Sequence, residues 1–403
     1  MALKDIYSLL RAHEEMISSF LPLIASENVT SMAVRRCYLS DFGHRYAMGE
    51  VGERAYSGCK YIDEVEELAL KLTKKLFSCS YANVRPISGT LANIAVYRAL
   101  TQCGDVIAAT PIEYGGHTSH FDTATIRGLK TLKLPFSFED FTIDVDKAVK
   151  TIIREKPKLV MLGASVILFP HPVREIREAC DEVNSRLVYD ASHVLGLIAG
   201  KKFQDPVKEG AEVVTASTHK TFPGPQRAVI FGNVEGEEAR AIDYSVMPCC
   251  VSNHHLHSLA AYAIACMEML EFGESYAKQI VRNAKVLAEE LASQGIRVIG
   301  EKRGYTESHQ VVFEGSRREQ EVLERNGIFV NVWPSTALIR IGVQEVTRLG
   351  MKEGEMKHIA ELISRALKGD SVRDEVEELS REFSRVHYSF DSSPAHDWTV
   401  FEV

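Results

Sequence analysis

Short apolar segments that end in polar side chains recur through the first half of the chain. Four of them predict buried strands, at about residues 105–110, 159–164, 186–190 and 211–216. Stretches with apolar positions three or four residues apart lie between these segments and predict helices. Strands that alternate with helices are typical of a parallel or mixed sheet, with ligand-binding groups at the carboxyl ends of the strands. We therefore expect an α/β fold.

The pattern changes near residue 275. A helix predicted over Ser258–Phe272 is followed by a charged helix that runs from Ser275 to Leu291. Short strands then alternate with turns at 296–299, 310–313, 328–332 and 338–341, before a helix at 352–367. This second pattern, in which short strands alternate with turns and lie between helices, predicts a smaller α/β domain. The expected organisation is an N-terminal helix (1–20), a large domain (21–274), a small domain (275–370) and a C-terminal helix and tail (371–403).

Composition narrows the class of protein. Of 403 residues, 45% are apolar and 25% are charged, which is ordinary for a soluble globular protein. The net charge is −8 and there is no basic block, so nucleic acid is not the expected partner. The eight cysteines show no disulfide spacing, and no apolar run reaches the length of a membrane span. We expect a cytoplasmic protein.

Two neighbouring strand ends carry residues suited to one cofactor. The segment 186–190 ends at Asp190, and the segment 211–216 leads to Lys220 just before a Pro-Gly-Pro turn. A lysine amine forms a Schiff base with pyridoxal phosphate, and a carboxylate can keep the pyridine nitrogen of that cofactor protonated. Taken singly, either residue has a simpler explanation, a solvated lysine or a helix cap. The pair predicts pyridoxal phosphate.

Three further segments carry groups suited to ligand binding, two of them to parts of this cofactor and the third to a carboxylate. Residues 88–90 (Ser-Gly-Thr) precede a helix, where free amides can cradle a phosphate or where a serine simply caps the helix. His117 follows a glycine pair and could lie flat on an aromatic ring. Arg340 follows an apolar strand and is suited to bidentate binding of a carboxylate.

The segment Met247–His257 contains two cysteines and three histidines and could suggest zinc. Its spacing fits no standard zinc finger, and the helix that follows explains His257 as a residue at a helix start. We predict no metal.

The motifs occur in one order over nearly the whole chain, and together they resemble the serine hydroxymethyltransferase family. The matching segments are Leu23–Asn28, Tyr56–Glu66, Tyr81–Pro86, Ser88–Asn93, Gly115–His117, Asp190–His193, Thr218–Lys220 and Arg340–Gly342. The resemblance implies pyridoxal phosphate fold type I, like that of aspartate aminotransferase, with a mixed, mostly parallel sheet in the large domain. It also implies a homodimer or a dimer of dimers that acts on a small amino acid.

The resemblance further implies a role for individual residues. Lys220, Asp190, His117 and Tyr56 would be catalytic, with Lys220 as the Schiff-base lysine and Asp190 at the pyridine nitrogen. His193 would bond the phenolic oxygen of the cofactor, and His117 would stack on its ring. The rest of the cofactor site would comprise Ser88, Gly89, Thr90, Ser165, Thr218, His219 and, from the neighbouring subunit, Tyr46. The substrate would contact Ser26, Tyr56 and Arg340.

The chain departs from the family pattern at several positions, and those at Met48, Ala55 and 331–339 handle folate in the family. Met48 stands where the family has a glutamate, Ala55 replaces the first of two tandem tyrosines, and Gln226 replaces an arginine. Cys249–His254 replaces a glycine-rich loop, and the segment 331–339 is shorter than the family's pteridine-contacting loop. We therefore expect aldol-type cleavage or formation of a Cα–Cβ bond in glycine, serine or another β-hydroxy amino acid, without tetrahydrofolate.

Two alternatives stay open. The protein could be a true serine hydroxymethyltransferase that uses tetrahydrofolate or another pterin, or a catalytically silent paralogue that only binds the cofactor. The intact Lys220, Asp190 and Arg340 argue against the silent paralogue.

Overall fold

The computed structural model describes residues 3–333 and 336–397. The α-helices, in chain order, are α1 (Leu3–Ser18), α2 (Met32–Arg36), α3 (Lys60–Phe77), α4 (Gly89–Leu100), α5 (Thr118–Ile126), α6 (Val145–Glu155), α7 (Val173–Val183), α8 (Leu195–Ala199), α9 (Pro206–Glu209), α10 (Gly236–Tyr244), α11 (Leu256–Ser293), α12 (Arg317–Arg325), α13 (Gln344–Arg348), α14 (Glu353–Lys368) and α15 (Arg373–Glu382). The strands are β1 (Leu21–Pro22), β2 (Gly49–Glu50), β3 (Glu53–Arg54), β4 (Tyr81–Asn83), β5 (Val106–Ala109), β6 (Lys130–Lys133), β7 (Phe136–Ser137), β8 (Thr142–Ile143), β9 (Leu159–Leu162), β10 (Arg186–Asp190), β11 (Val213–Ser217), β12 (Ala228–Gly232), β13 (Gln310–Glu314), β14 (Ile328–Phe329), β15 (Asn331–Val332) and β16 (Leu338–Gly342).

A seven-stranded sheet, here called the large sheet, has the order β4-β12-β11-β10-β9-β5-β6 and is formed by strands between Tyr81 and Gly232. Adjacent strands of this sheet pair in parallel, except that β12 is antiparallel to both β11 and β4. Every residue of β9, β11 and β12 is buried, because helices cover both faces of the sheet. This confirms the predicted α/β class, with a mixed and mostly parallel sheet.

A second, antiparallel sheet has the order β13-β16-β15. Strand β1 pairs in parallel with β14, so the segment after α1 is attached to the C-terminal part of the chain. The prediction of a strand at 296–299 is wrong, because only Val298 in this segment forms a β-bridge, to Phe313. Turns at Gly295 and Gly300, with φ of 86° and 88°, bound this segment and leave it too short for a ladder.

Helix α11 spans 38 residues, where the sequence predicted two helices. The helix continues through Gly273, where its backbone packs against Gly200. A Cβ on Gly200, at the end of α8, would lie 2.3 Å from the carbonyl oxygen of Gly273, so the two backbones are in close contact. The domain boundary at residue 274 stays a prediction, since α11 crosses it without a break.

Within residues 3–333 and 336–397, no helix is long and apolar enough to cross a membrane. The same part of the chain contains no group of three or more histidine, cysteine or acidic side chains placed to hold a metal ion.

Candidate active site

The carboxyl ends of β10 and β11 and the start of α4 surround a cavity of about 250 Å³. It collects most of the residues that the sequence predicted for the cofactor. Its lining comprises Ser88, Gly89, Thr90, His117, Ser119, Ala164, Ser165, Asp190, Ser192, His193, Ser217, His219 and Lys220. Thr218 lies behind the cavity, where its hydroxyl donates to the carbonyl of Pro225 at 2.7 Å.

One end of the cavity is built to bind an anion. Helix α4 begins at Gly89, so the unpaired amides of its first turn face the cavity together with the positive end of the helix dipole. The Ser88 hydroxyl caps the helix by accepting from Leu91 N at 3.2 Å. A Cβ on Gly89 would lie 2.4 Å from Ser217 Oγ, so glycine is required for this close approach. The sequence left open whether residues 88–90 cap a helix or bind a phosphate, and the start of α4 is suited to both at once.

Asp190 lies in the wall of this cavity and is held ionised. Its Oδ2 accepts from Asn93 Nδ2 at 2.8 Å and from His120 Nε2 at 3.2 Å, and its Oδ1 accepts from Ser192 N at 3.0 Å. Burial alone would raise the pKa of Asp190, but these hydrogen bonds and the nearby His120 hold the pKa well below its usual range. An ionised carboxylate in this position can hold a proton on a ring nitrogen.

Sequence reasoning missed Asn93 and His120 as functional residues. Asn93 is one helical turn beyond Gly89, and His120 is three residues beyond His117 at the start of α5. Both spacings point a side chain in the same direction as a residue that was predicted. Thr215 Oγ1 donates to Asn93 Oδ1 at 2.6 Å, which leaves the amide nitrogen of Asn93 facing Asp190.

Lys220 is buried in the same cavity, with 9% of its surface exposed. The pKa of Lys220 is lowered to about 8, chiefly by burial and also by the charge of Arg340, while the charge of Asp190 opposes the shift. A lysine with this pKa is partly unprotonated near neutral pH, as a nucleophilic amine needs to be.

The histidines around the cavity are uncharged. Burial lowers the pKa of His117 and of His219 to about 4 each, and it holds the pKa of His193 well below its usual value. His117 Nδ1 accepts from Ser119 N at 3.0 Å, and His193 Nδ1 accepts from Gln310 Nε2 at 3.1 Å. Fixed neutral imidazoles can contact an aromatic ring or donate to an oxygen without adding charge.

A second cavity of about 310 Å³ adjoins the first and shares His117, Ser165, His193 and Lys220 with it. It is also lined by Ser26 and Arg340, and by an apolar wall of Ile112, Val166, Val332 and Trp333. The predicted substrate residues Ser26 and Arg340 therefore lie beside Lys220. Pro334 and Ser335 of the short 331–339 segment lie outside the described residues.

Arg340 is a buried cation held by neutral groups. Its Nη1 donates to Ser165 O at 2.6 Å, and its Nη2 donates to Asn331 Oδ1 at 3.2 Å. Burial lowers the pKa of Arg340 to about 10, and no described carboxylate forms an ion pair with it. A buried guanidinium without a counter-ion favours an anionic ligand such as a carboxylate.

Tyr46 and Tyr56 line neither cavity of this chain. Both are exposed, their ring centroids are 4.7 Å apart, and the Tyr46 hydroxyl contacts Ser252 Oγ at 2.6 Å. Met48 is half-buried against an apolar cluster. The nearby carboxylate of Glu50 accepts from Arg85 at 2.7 and 2.9 Å. The roles predicted for the two tyrosines stay predictions.

The residues of the first cavity fit pyridoxal phosphate. The α4 cradle suits the phosphate, ionised Asp190 suits the pyridine nitrogen, and neutral His117 suits the ring face. The buried amine of Lys220 suits covalent attachment of the cofactor.

Comparisons with known proteins agree with this fit. The serine hydroxymethyltransferase family model matches residues 2–363. The serine hydroxymethyltransferase of Archaeoglobus fulgidus is 53% identical, with 97% of this chain and 94% of that protein covered. The enzyme of the same name from Methanopyrus kandleri is 50% identical, with 98% of both chains covered. The crystal structure of L-threonine transaldolase from Pseudomonas fluorescens, in its internal aldimine state, superimposes with a TM-score of 0.88 at 30% identity, covering 95% of this chain and 92% of that one.

These findings identify a pyridoxal phosphate enzyme of the hydroxymethyltransferase or aldolase type, with fold type I. The chain belongs to the serine hydroxymethyltransferase family.

Proposed function

We propose that this enzyme reversibly cleaves the Cα–Cβ bond of serine, with glycine as product and the hydroxymethyl group passed to tetrahydrofolate or another pterin. The observation that carries the proposal is the meeting of two cavities at Lys220, with Asp190 at the wall of one and Arg340 at the wall of the other. The extensive identity to proteins named serine hydroxymethyltransferase supports it.

The residues of the two cavities have different roles in this proposal. Pyridoxal phosphate, when bound, withdraws electrons from Cα and so weakens the Cα–Cβ bond. Lys220 attaches the cofactor and yields its place to the substrate amine, while Asp190 keeps the ring nitrogen protonated. Arg340 and Ser26 bind the substrate carboxylate, which fixes the bond to be cleaved relative to the ring.

The remaining predicted residues hold the cofactor. Residues 88–90 bind the phosphate, His117 lies on the ring, and His193 bonds the phenolic oxygen. Ser165 supports Arg340 through its carbonyl, and Thr218 and His219 shape the loop that carries Lys220.

The Lys220→Ala variant tests the covalent attachment. Borohydride reduction of the wild-type protein is expected to fix the cofactor to a peptide that contains residue 220. The variant is expected to release all cofactor on denaturation, and it should form no glycine from serine. Cofactor that stays attached to the variant after reduction would place the attachment elsewhere.

A second candidate is cleavage of a β-hydroxy amino acid without any pterin. It is favoured by Met48, because a thioether can neither give nor take the proton of a serine hydroxyl. Ala55 and the short 331–339 segment also remove groups that hold folate in the family. A structural neighbour is named L-threonine transaldolase, so the fold is found in a protein named for chemistry on threonine.

The two candidates differ in their response to tetrahydrofolate. Glycine formation from serine, threonine and allothreonine is measured with and without micromolar tetrahydrofolate. Strong stimulation of serine cleavage supports the hydroxymethyltransferase, whereas equal rates and a preference for threonine-type substrates support the pterin-independent enzyme.

We also propose that the active protein is a homodimer or a dimer of dimers with composite sites. Tyr46 and Tyr56 are exposed and lie outside the cavities of their own chain, as residues that serve a neighbouring subunit would.

We further propose a cytoplasmic location, which is supported by eight cysteines that are all free.

A further inference from the structure

Asn28 makes a contact that the proposed roles do not use. Its Nδ2 donates to the main-chain carbonyl of Lys220 at 2.7 Å, across 192 residues of sequence. The same nitrogen donates to the hydroxyl oxygen of Tyr276 at 2.9 Å, and Tyr276 donates to Gln344 O at 2.7 Å. The amide orientation of Asn28 is determined by its surroundings, since Asn28 Oδ1 accepts from Val29 N at 2.9 Å.

The loop on both sides of Lys220 is held by segments next to strands of the large sheet. Thr218 N donates to Arg227 O, just before β12, at 3.0 Å, and Thr221 Oγ1 donates to His193 O, shortly after β10, at 2.8 Å. Asn28 approaches the peptide of Lys220 from a different segment of the chain. It therefore adds a constraint that the large sheet does not supply.

The segment that carries Asn28 is attached to the strand of Arg340. Gly342 N donates to Leu23 O at 2.9 Å. The side-chain amide of Gln344 donates to Ile24 O at 2.8 Å and to Glu27 O at 2.6 Å, on either side of Ser26. Ser26 and Arg340 thus belong to one hydrogen-bonded unit, and Asn28 joins that unit to Lys220.

We propose that Asn28, supported by the hydroxyl of Tyr276, is a positioning residue that holds Lys220 in register with the carboxylate-binding groups Ser26 and Arg340. The proposal rests on the proposed attachment of the cofactor to Lys220. Without this hydrogen bond, the lysine peptide can rotate, and its amine is less often directed at the cofactor while Arg340 and Ser26 still bind substrate.

The test uses the holoenzyme variants Asn28→Ala and Tyr276→Phe. The first measurement is the rate at which pyridoxal phosphate is released, followed by absorbance after dilution into an excess of a cofactor scavenger. We expect release to become roughly three- to tenfold faster in Asn28→Ala, the scale of one lost hydrogen bond, and to rise less in Tyr276→Phe. The second measurement is serine cleavage, where kcat should fall while KM changes little.

Matched controls separate positioning from loss of stability. Asn326→Ala removes a half-buried amide that joins Val322 O to Val372 N, far from the cavities. Tyr262→Phe removes a buried hydroxyl of the same helix α11 that contacts Thr73. We expect both controls to keep the wild-type release rate even where their melting temperature falls.

The proposal is overturned if Asn28→Ala and Tyr276→Phe release cofactor at the wild-type rate, or if the controls release it equally fast. Should Asn28→Ala fail to fold, Tyr276→Phe decides the question alone, since it removes one oxygen atom. Reduction of Lys220→Ala with borohydride is the separate check. Attachment that persists there refutes the role of Lys220, whereas lost attachment with unchanged release in Asn28→Ala refutes only the positioning role.

Discussion

At the residue scale, the site depends on three buried ionisable groups whose pKa values have different causes. Burial would raise the pKa of Asp190, but three hydrogen bonds outweigh it. Burial lowers the pKa of Lys220 to about 8 and that of Arg340 to about 10. The carboxylate thus stays charged and the guanidinium stays mostly charged, while the lysine can lose its proton near neutral pH. A lysine that loses its proton suits a nucleophile, whereas a charged Asp190 and a charged Arg340 suit groups that bind a ligand by charge.

The pKa of Lys220 predicts a pH dependence of cofactor attachment. Below about 8 the amine is mostly protonated and cannot attack, so the rate at which the apoenzyme attaches pyridoxal phosphate should rise with pH and level off above about 8. Because the charge of Arg340 lowers this pKa, Arg340→Met should move the midpoint to higher pH. Stopped-flow absorbance over pH 6–10 measures both midpoints, and an unchanged or lower midpoint in the variant contradicts the argument.

Arg340 should be irreplaceable by lysine. A buried pairing of guanidinium and carboxylate uses two parallel hydrogen bonds, and Arg340→Ala should cost about 2–5 kcal/mol of amino-acid binding. Arg340→Lys should also bind weakly, because an ammonium lacks the planar fork. Spectral titration with glycine measures the affinity, with Arg317→Lys on the exposed face of α12 as a control. Wild-type affinity in Arg340→Lys would rule out the bidentate pairing.

At the scale of elements, the site is a set of strand ends that face the start of one helix. Strands β10 and β11 deliver Asp190 and the loop of Lys220, and α4 presents its amides opposite them. The contact between α4 and β11 is close enough that Gly89 has no room for a side chain. The phosphate cradle therefore depends on how α4 packs as well as on its hydroxyl residues.

Gly89→Ala should weaken cofactor binding through this contact. The added Cβ would lie 2.4 Å from Ser217 Oγ, so α4 or Ser217 must move. We expect the dissociation constant for pyridoxal phosphate to rise by about tenfold or more, as for about 1.4 kcal/mol or more of strain. Gly354→Ala is the control, since its Cβ would meet nothing within 4 Å.

The double variant Gly89→Ala/Ser217→Ala gives a sharper result. It removes the clashing hydroxyl and should recover part of the affinity, because Ser217 Cβ would lie 3.6 Å from the new methyl group. Fluorescence titration of the apoenzymes compares the variants. No recovery in the double variant would mean that the clash is not the cause.

The apolar pattern of the sequence predicted four of the seven strands of the large sheet, because β5, β9, β10 and β11 are largely buried and end next to polar residues. It did not predict β4, β6 or β12, and most of β6 is exposed. Strands β9, β10 and β11 lie within the predicted segments or differ from them by a few residues. The pattern could not show that Asn93 and His120 bind Asp190, because these contacts join residues 97 and 70 positions apart. It also did not show that α11 is continuous, since Gly273 lies between the two predicted helices and glycine disfavours a helix interior.

At the scale of the whole molecule, the chain brings most of the predicted site residues together and leaves two of them apart. The predicted cofactor and carboxylate residues converge within one chain, whereas Tyr46 and Tyr56 are exposed and line neither of its cavities. The segment around Tyr46 is held in place by Asn253, whose side chain accepts from Ala47 N and donates to Arg45 O. An ordered, exposed aromatic pair suits a site on a second copy of the chain.

Co-expression of two inactive variants tests this composite site. If Tyr46 serves the neighbouring subunit, a dimer of one Lys220→Ala chain and one Tyr46→Ala chain contains one intact site, built from Lys220 of one chain and Tyr46 of the other. Random pairing should then restore about one quarter of wild-type activity. Co-expressed Lys220→Ala and Asp190→Asn chains are the control, because both residues line the same cavity of one chain and no heterodimer site is intact. Equal activity in the two mixtures would place Tyr46 outside the neighbouring site, and serine cleavage by the doubly tagged heterodimer measures the difference.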